Sequence, residues 1–248
     1  MTGRQDRSTS RTPRLFVEAE LRARTSIELP EAAAHHAARV LRLRDGDAVV
    51  LFDGRGGEYD ARLAMPGRGR VVAETGERRE VERESPLEVT LVQAVSSGDR
   101  MDFTIQKAVE LGVVAIQPVL TAKSLVRLGG EREQRKLAHW KRVAIAACEQ
   151  CGRNLIPEIG EPMPLERYQA PQASSNILLS PLGTRKLSDL ARNPVTLAAG
   201  PEAGFNAEEE QLLLRAGFAP VRLGPRILRT ETAALAALAA LNALAGDF

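Results

Sequence analysis

The sequence predicts an α/β protein with a small β-barrel domain ahead of a larger, mostly parallel sheet covered by helices. Three observations support this fold class. The chain of 248 residues has room for one large domain or two smaller ones. Its first third reads as short strands gathered around one helix. From residue 87 onward, strands and helices alternate, the order that produces a parallel sheet with crossover helices.

Residues 1–12 are polar and Arg-rich and read as a disordered tail. Residues 13–75 form the predicted barrel. Leu15–Val17 and Ser26–Leu29 read as strands, and Pro30 to Leu43 reads as a helix with Ala34, Ala38 and Leu41 on one face. Asp45-Gly46 marks a turn. Ala48–Asp53 and Glu58–Leu63 alternate like a hairpin across Gly54-Arg55-Gly56-Gly57, and Arg70–Ala73 adds a strand. The charged stretch 76–86, ending in Pro86, reads as a linker or as part of a long exposed hairpin.

Residues 87–248 form the α/β part. Leu87–Val95, Val113–Leu120, Ile177–Ser180, Val195–Ala199 and Val221–Leu223 are its predicted strands. Asp99 can cap a helix through Leu111, closed by Gly112 in the left-handed conformation. Glu131–Cys151 is a long helix ending at Gly152. Asn206, with Glu209 three residues on, gives a capping box for a helix closed by Gly217. The last helix is Glu231–Ala245, with Leu235, Leu238, Leu241 and Leu244 predicted to face the core.

Composition excludes several classes. Hydrophobic residues make up 44% and charged residues 27%, ordinary for a globular protein, and the net charge is +2. Arg outnumbers Lys, which suits phosphate contacts, although base composition produces the same bias. No charged-then-apolar segment opens the chain. The Ala/Leu run 233–245 falls short of the roughly 20 residues a membrane span needs. A cytoplasmic protein without a membrane partner is expected. Cys148-Glu149-Gln150-Cys151 is a lone CxxC at the C-terminal end of a helix, where the dipole opposes a thiolate. His35, His36 and His139 have no metal-ligand spacing, and no metal is expected. A GxSxG elbow and a Walker A loop are both absent. Gly54–Gly57 is followed by a strand rather than a helix, so it is no dinucleotide fingerprint.

What remains is three loops leaving the C-terminal ends of predicted strands, the place where open parallel sheets bind ligands. They are Ser180-Pro181-Leu182-Gly183-Thr184, Gly200-Pro201-Glu202-Ala203-Gly204 and Gly224-Pro225-Arg226-Ile227-Leu228-Arg229-Thr230-Glu231. Gly lets backbone approach a ligand and Pro fixes the turn. In the last loop, Thr230 can cap the following helix and Glu231 suits its dipole. Capping does not explain Arg226 and Arg229, which are placed to meet phosphate or a developing anion.

With these loops, the segments Phe103–Gly112, Ala146–Asn154, GPEAG at 200–204 and LGPRILRTETA at 223–233 resemble the 16S rRNA (uracil-N3)-methyltransferase family of the SPOUT class. Arg39-Val40-Leu41-Arg42 and Leu51-Phe52-Asp53-Gly54 fit as well. The resemblance runs from Arg14 to the last helix. It implies a PUA-like barrel followed by an α/β domain with a trefoil knot, a homodimer, S-adenosylmethionine as cofactor, and a uridine of 16S rRNA in the small ribosomal subunit as substrate. By the same resemblance, Leu179, Ser180, Pro181, Leu182 and Gly183 would hold the cofactor together with Ala199, Gly200, Pro201, Glu202 and Gly204. Leu223, Gly224, Ile227, Leu228 and Thr230 would complete that set. Arg229, Thr230 and Glu231 would border the methyl donor, and Arg153 and Asn154 would come close to the target base. On chemical grounds Arg229 is suited to stabilise the uracil anion and Glu231 to accept its proton, with Arg153 in reserve to orient the base or its phosphate. Arg14, Arg22, Arg24, Arg39, Arg42 and Arg44 would contact rRNA. The family commonly has GPEGG. Here the fourth position is Ala203, a change that costs roughly 1 kcal/mol if that position needs positive φ. Two other readings stay open: a SPOUT enzyme acting on another RNA or on a ribose 2′-oxygen, and a non-catalytic RNA-binding assembly factor.

Overall fold

The computed structural model describes residues 12–67, 69–124 and 130–248. All but Thr12 of the expected disordered tail lies outside the described residues. The chain divides into two compact units, Met1–Arg83 with Gly152–Leu155, and Glu84–Cys151 with Ile156–Phe248.

The first unit is a five-stranded sheet with one short helix. Its strands are β1 (Arg14–Phe16), β2 (Ser26–Glu28), β3 (Ala48–Phe52), β4 (Glu58–Gly67) and β5 (Arg70–Arg79), paired in the order β1-β3-β4-β5-β2. Only β1 and β3 run parallel. Leu15, Leu51, Leu63, Val71 and Ala73 alternate inward and form a core with Ala33, Ala34 and Ala37. The Gly54–Gly57 stretch is the expected hairpin, with Gly54, Gly56 and Gly57 all at positive φ.

Two expectations need correction here. The helix is shorter than Pro30–Leu43: α1 (Glu31–His35) runs into a π-helical turn at His36–Val40, and Leu41 is exposed while Ala34 is buried, so the two do not share one face. A π turn rotates the following side chains off the 3.6-residue face. Strand β5 also extends four residues into the predicted linker, because Tyr59 pairs with Arg78 and Glu58 with Arg79 past a β-bulge.

The second unit is a six-stranded parallel ladder ordered β12-β10-β11-β6-β7-β8, with β9 also on β7. The strands are β6 (Val89–Ala94), β7 (Ala115–Leu120), β8 (Glu158–Ile159), β9 (Met163–Pro164), β10 (Ser175–Leu179), β11 (Val195–Ala199) and β12 (Ala219–Val221). All these pairings are parallel. The helices are α2 (Asp99–Glu110), α3 (Glu131–Cys151), α4 (Ala207–Arg215) and α5 (Thr230–Ala245). Strand β11 is buried at every position, as a central strand covered on both faces must be.

Local chemistry explains the helix ends. Asn206 and Glu209 form the expected capping box at α4, and Gly112, Gly152 and Gly217 take positive φ beyond α2, α3 and α4. Asp99 is the first helical residue rather than the cap, which is Gly98 at φ 56°. Of the leucines in α5, Leu238 and Leu241 are fully buried, but Leu244 is 51% exposed. Three-residue spacing turns about 300° per step, so Leu235 and Leu244 point to faces about 180° apart.

Candidate active site

The C-terminal ends of β10, β11 and β12 release three loops whose residues line one cavity of about 400 Å³. From the first loop come Leu179, Ser180, Pro181 and Leu182. From the second come Ala199, Gly200, Pro201, Glu202, Ala203 and Gly204, and from the third Leu223, Arg226, Ile227 and Leu228, with Thr230 behind them. Thirteen of the fifteen residues predicted to hold the cofactor are therefore brought together. The other two, Gly183 and Gly224, do not line the cavity. Gly183 instead lies where the first loop crosses the backbone after β12: a methyl group on it would collide with Val221 and the Arg222 nitrogen. The Arg185 amide donates to the Pro220 carbonyl at the same crossing, 3.3 Å away. Gly224 sits at φ 77° and lets the third loop turn.

Side chains hold each loop in place. In the first, the Ser180 hydroxyl accepts from the Leu182 amide at 3.2 Å and donates to Glu210 Oε1 at 3.1 Å. In the second, the Gly204 amide donates to the Pro201 carbonyl at 2.8 Å, and Glu202 Oε1 accepts from the Ser97 amide at 3.1 Å and from Arg100 at 2.9 Å. Burial alone would raise the Glu202 carboxyl. Hydrogen bonds from its own amide, the Ser97 amide, Arg100 and the Ser97 hydroxyl outweigh this and hold it below the usual carboxylate range. Ala203 is not among the positive-φ residues, so its methyl group causes no backbone strain; Gly204, at φ 67°, takes that conformation instead.

The start of α5 differs from the sequence expectation. Its N-cap is Arg229, and no side chain caps the helix. Thr230 is buried, and its hydroxyl donates to the Gly200 carbonyl at 2.5 Å, joining the third loop to the second. Arg229 is exposed and does not line the cavity, nor does Glu231, whose Oε2 is buried without a partner. The cavity also takes in Phe205, Glu210, Val221, Arg222 and Ala233, which sequence reasoning did not single out. Glu210 lies in α4, one helix beyond the GPEAG loop, and no local pattern points it inward.

Arg153 and Arg14 are the clearest departures. Arg153, expected to orient a base, is 4% exposed and lies in the N-terminal unit. Arg14, expected to meet rRNA, is 7% exposed. Its guanidinium pairs with Glu58, lies 4.8 Å over the Phe52 ring, and donates to Asn154 Oδ1 at 2.6 Å and to the Arg153 carbonyl at 3.2 Å. Arg79 and Arg83 reach the same Glu58 carboxylate at 2.7 and 3.2 Å. The fully buried Asn154 donates to the Val81 carbonyl at 2.6 Å, and Arg83 donates to the Gly152 carbonyl at 2.8 Å. Gly152, Arg153 and Asn154 are thus held within the N-terminal unit by an ionic cluster, while Leu155 is 40% exposed.

The remaining predicted RNA contacts are on the surface. Arg22 pairs with Glu20, and Arg24 with Glu77. Arg39, Arg42 and Arg44 are exposed, and their guanidinium groups make no ion pair among the described residues. Arg24 and Arg42 both have φ 54°, uncommon for a non-glycine residue. Cys148 is buried, Cys151 half-buried, and neither is in a disulfide. Among the described residues no three His, Cys, Asp or Glu side chains could hold a metal ion, and no helix is long and apolar enough to cross a membrane.

Comparison with known proteins agrees with this geometry. Residues 83–242 match the RNA methyltransferase domain family, and residues 29–75 match the RNA methyltransferase PUA domain. The ribosomal RNA small subunit methyltransferase E of Buchnera aphidicola is 32% identical over 240 residues, covering 95% of each chain. The solved structure of a ribosomal RNA small subunit methyltransferase E from Neisseria gonorrhoeae, bound to S-adenosyl methionine, is 40% identical with a TM-score of 0.89, over 96% of this chain and 100% of that one. A methyltransferase from Legionella pneumophila, in complex with the same cofactor, is 39% identical with a TM-score of 0.93 over the same shares. The chain belongs to the ribosomal RNA small subunit methyltransferase E family, with an α/β domain of the SPOUT class behind a PUA-like N-terminal domain.

Proposed function

We propose that this chain transfers a methyl group from S-adenosylmethionine to N3 of a uridine in 16S rRNA, acting on the small ribosomal subunit as a cytoplasmic homodimer. The observation that carries the proposal is the cavity formed where three strand ends meet. Its volume of about 400 Å³ falls within the usual range for ligand clefts. Its wall combines aliphatic side chains such as Leu182, Leu223, Ile227 and Leu228 with the glycine and proline turns of the loops, and suits an adenosyl group; Arg222 and Arg226 also line it. The Glu210 carboxylate suits a ligand carrying a sulfonium charge, while that of Glu202 is already paired with Arg100. When bound there, S-adenosylmethionine supplies an electrophilic methyl group.

The chain's own task is to present the nucleophile. N3 of uracil is occupied in pairing, so the base must be unpaired or flipped out of its stack. Loss of the N3 proton then spreads negative charge over N3 and two carbonyl oxygens. Three neighbours at the start of α5 divide this work. Arg229 carries only donors and is suited to stabilise the anion. Thr230 has committed its one proton to Gly200. Glu231, with an unpartnered carboxylate oxygen, is the member of the three able to accept a proton.

Residues 13–75 supply rRNA contacts in this reading, through Arg39, Arg42 and Arg44 first and through Arg22 and Arg24 at the edge. Phe103 on α2 and Leu244 on α5, 46% and 51% exposed, offer apolar surface to a second copy. The test is primer extension on 16S rRNA from cells with and without the gene, because methylation at N3 blocks pairing and stops reverse transcriptase. A stop that persists in the deletion strain sinks the proposal. Calorimetry with S-adenosylmethionine separates an enzyme from a non-catalytic assembly factor, which would not bind it.

A further inference from the structure

We infer that Gln93 is a positioning residue of this cofactor site, acting on the cavity wall through Thr230 and Gly200. The inference rests on reading the cavity as the S-adenosylmethionine site. Gln93 stands in β6, in register with Ala199 of β11, and is fully buried in a strand whose neighbours Leu91, Val92 and Ala94 are apolar. Its side-chain amide donates to the Ala94 carbonyl at 3.1 Å and lies 3.0 Å from the Thr230 hydroxyl. A carbonyl can only accept, so the group facing Ala94 is the NH2, which fixes the amide orientation. The second N–H then points at Thr230 Oγ1. That oxygen accepts, and its single proton goes to the Gly200 carbonyl at 2.5 Å.

The relay therefore has one direction, from Gln93 to Thr230 to Gly200. The Gly200–Pro201 peptide has no N–H, so its carbonyl is the only polar handle on that plane. Pinning it sets the plane from which the Pro201–Gly204 turn begins, and that turn is one wall of the cavity. Gln93 Oε1 is buried without a partner. A leucine of similar size would avoid this orphaned acceptor, so the fold keeps the amide for its two donors.

The test measures cofactor affinity and both Michaelis constants for Gln93→Leu, Thr230→Val, Thr230→Ser and the double variant Gln93→Leu/Thr230→Val. Gln93→Leu should weaken S-adenosylmethionine binding roughly tenfold while leaving KM for small-subunit particles unchanged. Thr230→Val should do the same, Thr230→Ser should bind like the parent, and the double variant should be no worse than Thr230→Val alone. Unchanged cofactor affinity in Gln93→Leu, or additive losses in the double variant, overturns the relay. A general structural role would move both Michaelis constants together. If Gln93→Leu does not fold, the valine and serine variants decide the question, and equal affinity between them counts against it. A parent protein that fails to bind S-adenosylmethionine sinks the functional reading itself, whereas binding that ignores these substitutions sinks only the relay.

Discussion

Replacing Asn154 with Ala should unfold the N-terminal unit at a much lower temperature while leaving the chemistry of the folded molecule intact. Asn154 is fully buried and uses both ends of its amide. One end donates to the Val81 carbonyl at 2.6 Å, and the other accepts from the Arg14 guanidinium at 2.6 Å. The substitution leaves a buried carbonyl and a buried cationic N–H facing a void. Each orphaned group costs about 1–3 kcal/mol, with the charged partner at the upper end, for a total of roughly 3–5 kcal/mol. Arg14 keeps Glu58 and the Arg153 carbonyl, so the loss stops short of stranding the whole charge. For a unit of this size such a loss lowers Tm by more than about 10 °C. Scanning calorimetry reads the shift. Methyl transfer assayed well below the new Tm reads the activity of the molecules still folded. An unchanged Tm with a collapsed kcat would refute the reasoning, because it would make Asn154 a substrate contact rather than part of a buried cluster.

Other consequences follow from the same geometry. Arg229→Ala should lower methyl transfer by roughly 10²–10³ with S-adenosylmethionine binding retained, and near-normal turnover would show that another group stabilises the anion. Burial alone would raise the Glu58 carboxyl, but Arg14 and Arg83 hold it below the usual range overall, so its contribution to stability is present above the unfolded carboxylate value and is lost as pH falls through the lowered folded one. Denaturant titrations across the acid range should show that loss in the parent and not in Glu58→Gln, which starts less stable. Alanine at Arg39, Arg42 or Arg44 should each reduce the slope of log affinity against log salt for rRNA by about 0.7–1, and an unchanged slope removes that residue from the interface. Ala203→Gly should leave cofactor affinity as it is, since Ala203 is free of positive-φ strain; tighter binding by calorimetry would contradict this.

How far the sequence could be read followed from the range of each interaction. The capping box at Asn206 and Glu209, the positive-φ glycines after α2, α3 and α4, and the hairpin at Gly54–Gly57 are local devices, and all were legible. The three strand-end loops were legible too, because Ser-Pro at 180–181 and Gly-Pro at 200–201 and 224–225 each break the chain just after an apolar run. What escaped was set by distant partners. Nothing near Arg14 announces that Glu58 and Asn154 will bury it, so it read as one more surface arginine. Nothing near Arg153 or Asn154 distinguishes a motif kept for a substrate from one kept for a buried ion cluster. Thr230 shows the same limit within the site. Its position before a helix suggested a cap, and its hydroxyl was instead committed to a carbonyl thirty residues away. Motif residues therefore split by what their polar atoms already hold. Those satisfied inside the fold are structural: Asn154 locks the ionic cluster of the N-terminal unit, and Thr230 ties two loops of the cavity wall together. Arg229, exposed at the head of α5, and Glu231, with one buried oxygen unpartnered, are the two we propose for the chemistry.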